Sequence, residues 1–260
     1  MSVIEMSNIL PGVNDAYIVV ILSMILFFCN NIWILKLIVP TSARTSQRQE
    51  WKWRNIANSL IHSMITGCGA CVCFYQSPEI RKDLISKWTI SSHCLLAIST
   101  GYFIYDMFDM LLNDPKSKTF ELLVHHMLVI SCFTTAITTY NYEGYAIMAL
   151  LVEVNSVFLH IRQLMIIQNW NRKTLSYRLN SSLNLGTFVV FRILTMGWMT
   201  RWLIQHRYDL TPFAFNLAGI SLAVIMVMNI VLLLRVLKSD YQQRPTQHNP
   251  DLQVLHTKAS

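Results

Sequence analysis

Glu121-Leu122-Leu123-Val124-His125-His126-Met127-Leu128-Val129-Ile130-Ser131-Cys132-Phe133 opens an apolar run that continues to Tyr140. The run is long enough to cross ~30 Å of hydrocarbon, which takes roughly 20 helical residues. It nevertheless begins with a carboxylate and two adjacent imidazoles. Such groups are costly at a bilayer boundary unless they bind, relay protons or do chemistry.

Runs of similar length recur along the chain at about 16–39, 55–74, 90–112, 145–167, 183–204 and 214–237. With 122–140 they make seven. Composition agrees: 53% of residues are hydrophobic and only 13% charged, where a soluble domain carries about a quarter charged. Mean hydropathy is +0.39. The fold class is all-α, a polytopic transmembrane helical bundle. Residues 1–54 hold the N-terminal segment, the first span and a loop, and 55–237 form one membrane domain. Residues 238–260 are a polar tail with Pro245 and Pro250, expected to be disordered. The first span reads as a retained anchor and not a secretory signal, because residues 1–15 carry Glu5 and Asp15 but no Lys or Arg.

Net charge is +7, and its placement orients the bundle. Arg44, Arg48, Lys52, Arg54, Lys116, Lys118, Arg172, Lys173, Arg178 and Lys238 fall on one side; Arg81, Lys82, Lys87 and Arg207 are the main charges on the other. The positive-inside rule puts the N-terminus outside and the C-terminus in the cytosol. Basic residues beside anionic lipid account for this charge without a nucleic-acid partner. All six cysteines lie within spans, so no disulfide framework is expected. Cys68, Cys71 and Cys73 read as small side chains of a packed helix, like Gly67 and Gly69 beside them. Trp51, Trp53, Trp88 and Trp170 read as interfacial anchors.

The topology assigns depths to the polar groups. At 100° per residue Ser99, Tyr102, Asp106, Asp109 and Asn113 share one stripe of the third span. His125 and His126 enter at a similar level, Glu121 lies one turn before His125, and His62 falls in the same half of the second span. The fifth span is polar on two faces, with Glu153, Ser156, His160 and Gln163 on one and Asn155 and Arg162 on the other, which places it centrally. Arg192, mid-span, costs ~2.5–3.5 kcal/mol to insert, and Glu153 is its expected partner by depth. Adjacent histidines on a helix point about 100° apart and do not readily hold one ion, so no metal site is assigned.

Gly101-Tyr102-Phe103-Ile104-Tyr105-Asp106 followed by Glu121-Leu122-Leu123-Val124-His125-His126 resembles the TLC domain shared by TRAM, ceramide synthases and their relatives. The segment Glu153-Val154-Asn155-Ser156-Val157-Phe158-Leu159-His160-Ile161-Arg162-Gln163-Leu164 is similar to the plasma-membrane branch of that family, which regulates phospholipid composition and fluidity. The resemblance spans roughly 55–237. It implies a protein of the cell membrane (the endoplasmic reticulum is the alternative) that limits entry of fluidising polyunsaturated acyl chains into phospholipids, with phospholipids or acyl chains as its partners and no cofactor.

In the ceramide synthase branch the His pair is required for acyl transfer from acyl-CoA to a sphingoid amine. Carried over, His125 and His126 are candidate base or nucleophile and Asp106 the orienting carboxylate, with acyl-CoA a possible substrate. Glu153, Asn155, His160, Arg162, Arg192 and His62 are candidate substrate or cavity-lining groups. That branch also carries two aspartates three residues apart in the next span, and here Glu153 and Ser156 stand at those positions. An acyltransferase thus stays open as the alternative to a non-enzymatic regulator. A seven-span receptor fits less well, since the turn at 141–144 is short and has no Cys to take a tethering disulfide.

Overall fold

The computed structural model describes residues 13–114 and 117–241. Seven of its helices are long and apolar enough to cross a membrane: α1 (Asp15–Ile38), α2 (Gln47–Gln76), α3 (Ile90–Asn113), α4 (Phe120–Thr139), α5 (Glu143–Ile167), α6 (Leu175–Gln205) and α7 (Pro212–Asp240). No strand occurs among the described residues. The segment with Glu5, the loop residues Pro115 and Lys116, and the tail beyond Tyr241 lie outside them.

Two helices begin earlier than hydropathy suggests. The Ser46 hydroxyl accepts from the Gln49 N–H at 3.2 Å and starts α2 at Gln47. The Thr174 hydroxyl accepts from the Tyr177 N–H at 3.4 Å and starts α6 at Leu175. Such caps satisfy the orphan donors of a first turn, so a polar helix persists where hydrocarbon ends. α7 likewise runs on to Tyr241, past the boundary expected at Lys238.

The helices are joined by short connections and alternate in direction. The turns at 77–89, 140–142 and 206–211 lie on the face where α1 begins, the first face; those at 39–46 and 168–174, with the end of α3 and the start of α4, lie on the second. α3 is the most enclosed helix, with 61% of its most apolar 18-residue stretch buried, followed by α2 at 50% and α5 at 39%, the rest being lower. Gly101 of α3 lies against the Val20 carbonyl of α1, where any Cβ would collide. Gly67 of α2 sits on the α5 backbone, and a Cβ there would stand 3.0 Å from the Val154 nitrogen. Small residues at such contacts let membrane helices approach closely, and this one fixes the height of Glu153. Cys73 is buried, whereas Cys68 and Cys71 face outward; the packed role expected for the latter two does not hold.

Two helices contain π-helical turns, Asn30–Ile34 in α1 and Val189–Leu194 in α6. An inserted residue of this kind re-aims the side chains around it. The turns carry Asn31 and Arg192, two of the most heavily hydrogen-bonded polar residues in the bundle.

Candidate functional site

The polar stripe of α3 meets a matching stripe on α2. Trp51 Nε1 donates to Asp109 Oδ2 at 2.9 Å, and Asn55 Nδ2 donates to Asp109 Oδ2 at 3.0 Å and to Asp106 Oδ1 at 2.6 Å. One turn further along, Tyr102 OH donates to Ser59 Oγ at 2.8 Å, and His62 Nε2 lies 3.1 Å from Ser99 Oγ. The His62 ring also stacks on Tyr102 at 3.8 Å between centroids. Each group finds its partner on the facing helix, which is what makes polar residues tolerable at membrane depth. His62, 1% exposed, is thus part of the α2–α3 seam and not of a cavity wall. Trp51 and Trp53 are buried too, so neither is a simple interfacial anchor.

The stripe ends on the His pair. His126 Nε2 is 3.0 Å from Asp106 Oδ2, and its Nδ1 is 2.6 Å from the Leu122 carbonyl of its own helix. Carbonyl and carboxylate oxygens are both acceptors. Each ring nitrogen thus faces an acceptor oxygen, and the ring is fixed in direction. Asp106 and His126 are 4% and 3% exposed, leaving little room for a substrate to reach either. His125, about 100° round the helix, faces the other way. It makes no hydrogen bond among the described residues and stands edge-on to Phe103 at 6.3 Å.

His125 lines a cavity between α3, α4, α5, α6 and α7 whose empty volume, open mouth included, is about 1170 Å³. From His125 to Ala136 along α4, and from Arg192 to Leu203 along α6, the lined stretch rises about 16 Å at 1.5 Å per residue. Its walls are apolar, with Phe133, Leu150, Met196, Met199, Trp202 and Leu222 prominent. Polar groups gather at one end as His125, Glu153 and Arg192; the other end reaches Tyr142 and Leu210 at the first-face turns. Tyr142 is held there with φ of 67°, its N–H donating to the Ile85 carbonyl at 2.6 Å.

Arg192 and Glu153 make no direct ion pair, although the carboxylate lies close enough to act on the guanidinium electrostatically. Its Nε donates to Asn155 Oδ1, Nη1 to Asn229 Oδ1 and Nη2 to Ser156 Oγ, each at 2.7 Å. Glu153 Oε2 instead accepts from Ser63 Oγ of α2 at 2.6 Å. Matching the two by depth assumes straight helices, and the π-helical turn around Arg192 re-aims its guanidinium toward neutral partners. Arg162 lies off the cavity. Its Nε and Nη2 reach Asp240 Oδ2 and Oδ1 at 2.8 and 2.5 Å, and Tyr177 OH and Ser181 Oγ donate to the same carboxylate at 3.0 and 2.6 Å. That knot closes α5, α6 and α7 at the second face, where the sequence led us to expect a disordered tail from 238. Glu121, expected beside His125, pairs with Arg235 of α7 at 3.2 Å on the surface.

Of the candidate residues, the cavity wall brings together His125, Glu153 and Arg192. Asp106 and His126 sit directly behind it, and Asn155, fully buried, holds Arg192 from outside the wall. His160, partly buried, is not on the wall, nor are His62 and Arg162. Sequence reasoning missed Asn55, Ser156 as a guanidinium ligand, Asn229, Asp240 and a second buried pair, His93 with Glu143. Asn229 had a readable signal, being a lone amide in an otherwise apolar stretch of α7.

The TLC domain profile matches residues 52–238. "TLC domain-containing protein 2" of Danio rerio is 47% identical over 80% of this chain and 83% of its own length. The Homo sapiens protein of that name is 34% identical over 82% and 80%. "TLC domain-containing protein 1" of Homo sapiens is 32% identical over 80% and 83%. This seven-helix membrane protein belongs to the TLC-domain family.

Proposed function

We propose that this protein adjusts the acyl composition of membrane phospholipids, and with it membrane fluidity, by admitting a single acyl chain into the cavity between α4, α5, α6 and α7. The observation that carries this reading is the cavity's shape. Its lined length of about 16 Å equals one leaflet's share of a ~30 Å hydrocarbon core. Its walls are mainly apolar, and one end brings together His125, Glu153 and Arg192. Convergent polar groups at the end of an apolar cleft are the usual form of a small-molecule site. The protein works in the cell membrane, N-terminus outside, and restrains incorporation of fluidising polyunsaturated chains.

The test is lipidomics of cells with and without the protein, repeated with the cavity filled by Ala149→Trp and Ala218→Trp. We expect the wild-type shift in phospholipid acyl chains to vanish in both filled variants. A shift that persists in well-expressed filled variants removes the cavity from the account.

A second reading, acyl transfer, is favoured by one observation: His125 is free and cavity-facing while His126 is held by Asp106. An acceptor hydroxyl or amine would attack the acyl-CoA carbonyl, the C–S bond would break, and His125 would take the acceptor's proton for return to the departing thiolate. Purified protein given acyl-CoA and lysophospholipid should then release free CoA thiol, and His125→Ala should stop it. No release by the wild-type protein ends this reading.

A further inference from the structure

Two arginines lie deep in the bundle, and the chain treats them differently. Arg162 receives a carboxylate from within the protein, Asp240, through two hydrogen bonds. Arg192 receives three neutral oxygens, from Asn155, Ser156 and Asn229. These fix the guanidinium plane, with Phe188 packed 5.5 Å from its carbon, but they bring no negative charge. Glu153 shares the same end of the cavity, yet its Oε2 is engaged by Ser63 and no ion pair joins it to Arg192. N–H groups of the planar fork remain beyond the three that donate to the collar, and the residue lines the cavity. The protein thus carries a positioned cation at one end of a largely apolar channel.

We infer that this end of the cavity is an anion receptor, in which Arg192 binds the carboxylate or phosphate head of a single-chain lipid whose tail runs along the channel toward Tyr142. The inference rests on the acyl-cavity reading and adds the headgroup chemistry to it. A guanidinium matches either oxyanion in a bidentate fork, and charge-assisted hydrogen bonds of this kind are about twice as strong as neutral ones. Asn155, Ser156 and Asn229 are positioning residues, since they hold the fork still without touching the ligand. His125 lies on the same wall, within the reach of a bound head. Glu153, being negative, opposes an anion there, which gives the site a second handle of opposite sign.

The experiment is equilibrium competition on the purified full chain in neutral detergent, with labelled oleate displaced by oleate, oleoyl-lysophosphatidate or monooleoylglycerol. Each affinity is expressed relative to the same competitor on Arg192→Gln, so micelle partitioning cancels. The wild-type protein should favour both anions over the neutral ester by about tenfold or more, the worth of one charged hydrogen bond. Arg192→Gln should weaken both anions and leave the neutral ester unchanged, and Glu153→Gln should tighten the anions alone. Tighter oleate identifies a free carboxylate as the natural head, and tighter lysophosphatidate a phosphate. Equal binding of anions and neutral ester by the wild-type protein overturns the inference while leaving the acyl cavity intact. Binding of none of them defeats both. Should Arg192→Gln fail to fold, Glu153→Gln decides, and unchanged anion affinity in that variant counts against the receptor.

Discussion

Two buried imidazole–carboxylate pairs flank α3, one near each end, and their chemistry is almost the same. At the first-face end His93 Nδ1 lies 2.5 Å from Glu143 Oε1, and the other carboxylate oxygen accepts from Ser92 Oγ at 2.7 Å. At the second-face end His126 Nε2 lies 3.0 Å from Asp106 Oδ2, whose other oxygen accepts from Asn55. Their surroundings differ. His93 and Glu143 are 1% and 0% exposed, roofed by the Tyr140 ring stacked at 4.8 Å and by Trp88 at 5.7 Å. Neither pair member touches the cavity. The Asp106–His126 pair backs onto it, because the preceding residue, His125, is on its wall. The same bond is a fastener where it is sealed and a backing for a cavity-facing neighbour where a helix turns one residue away. What makes a candidate site is the opening, not the pair.

That contrast can be broken most decisively at Glu143. Removing one member of a buried pair strands the other and typically costs ~3–5 kcal/mol. Glu143→Ala should therefore lower stability by about that much, read from unfolding in mixed micelles, with any loss of the lipid phenotype tracking loss of folded protein. A well-folded Glu143→Ala protein that lacks the phenotype would make the first-face pair functional and undo the comparison. Asp106→Asn comes next. Asparagine can still accept one hydrogen bond, so the loss is that of a charged partner, about 1–3 kcal/mol. Here the lipid phenotype should fall further than stability does, because His126 is held less firmly and the His125 ring loses part of its backing.

The same contrast explains what could be read from the sequence. The seven spans were legible because hydrocarbon imposes a minimum apolar length. The stripe from Ser99 to Asp109 was legible because helical periodicity is local. The identity of the facing stripe, with Trp51, Asn55 and Ser59, was not, since it depends on which helix packs against α3. Glu143 reads from sequence as part of a short turn, and its burial follows only from the docking of Tyr142 and Tyr145 on the Ile85 and Leu84 carbonyls and from its contacts with Ser92 and His93. The division of labour within the His pair was half legible: spacing puts the rings on different faces, but only the bundle decides which face is open. Arg192 was assigned the wrong partner because a π-helical turn leaves no mark in hydropathy.

Smaller effects sharpen the comparison from the surface. Arg235 and Glu121 pair across α4 and α7 near the same depth as the His pair, but both are half exposed. Exposed ion pairs contribute ~0–1 kcal/mol, so Arg235→Gln should leave both stability and lipid phenotype close to wild type. A large loss of the phenotype alone would mean that the second-face mouth, and not the cavity wall, governs access.

The smallest stability effect is expected at His125, and it is the most informative. The ring makes no hydrogen bond among the described residues and packs mainly on Phe103 and His126. Truncating it to Ala enlarges an existing cavity and strands no partner, so unfolding should shift by less than about 1 kcal/mol. If His125 acts as proposed, the lipid phenotype is nevertheless lost. At His93, buried against Glu143 and Tyr140, the same truncation should do the reverse: a large stability loss, with function following only the amount of folded protein. Measuring both variants in parallel separates a residue that holds the bundle from one that works in its opening. Equal behaviour of the two would mean that the opening beside His125 has no consequence.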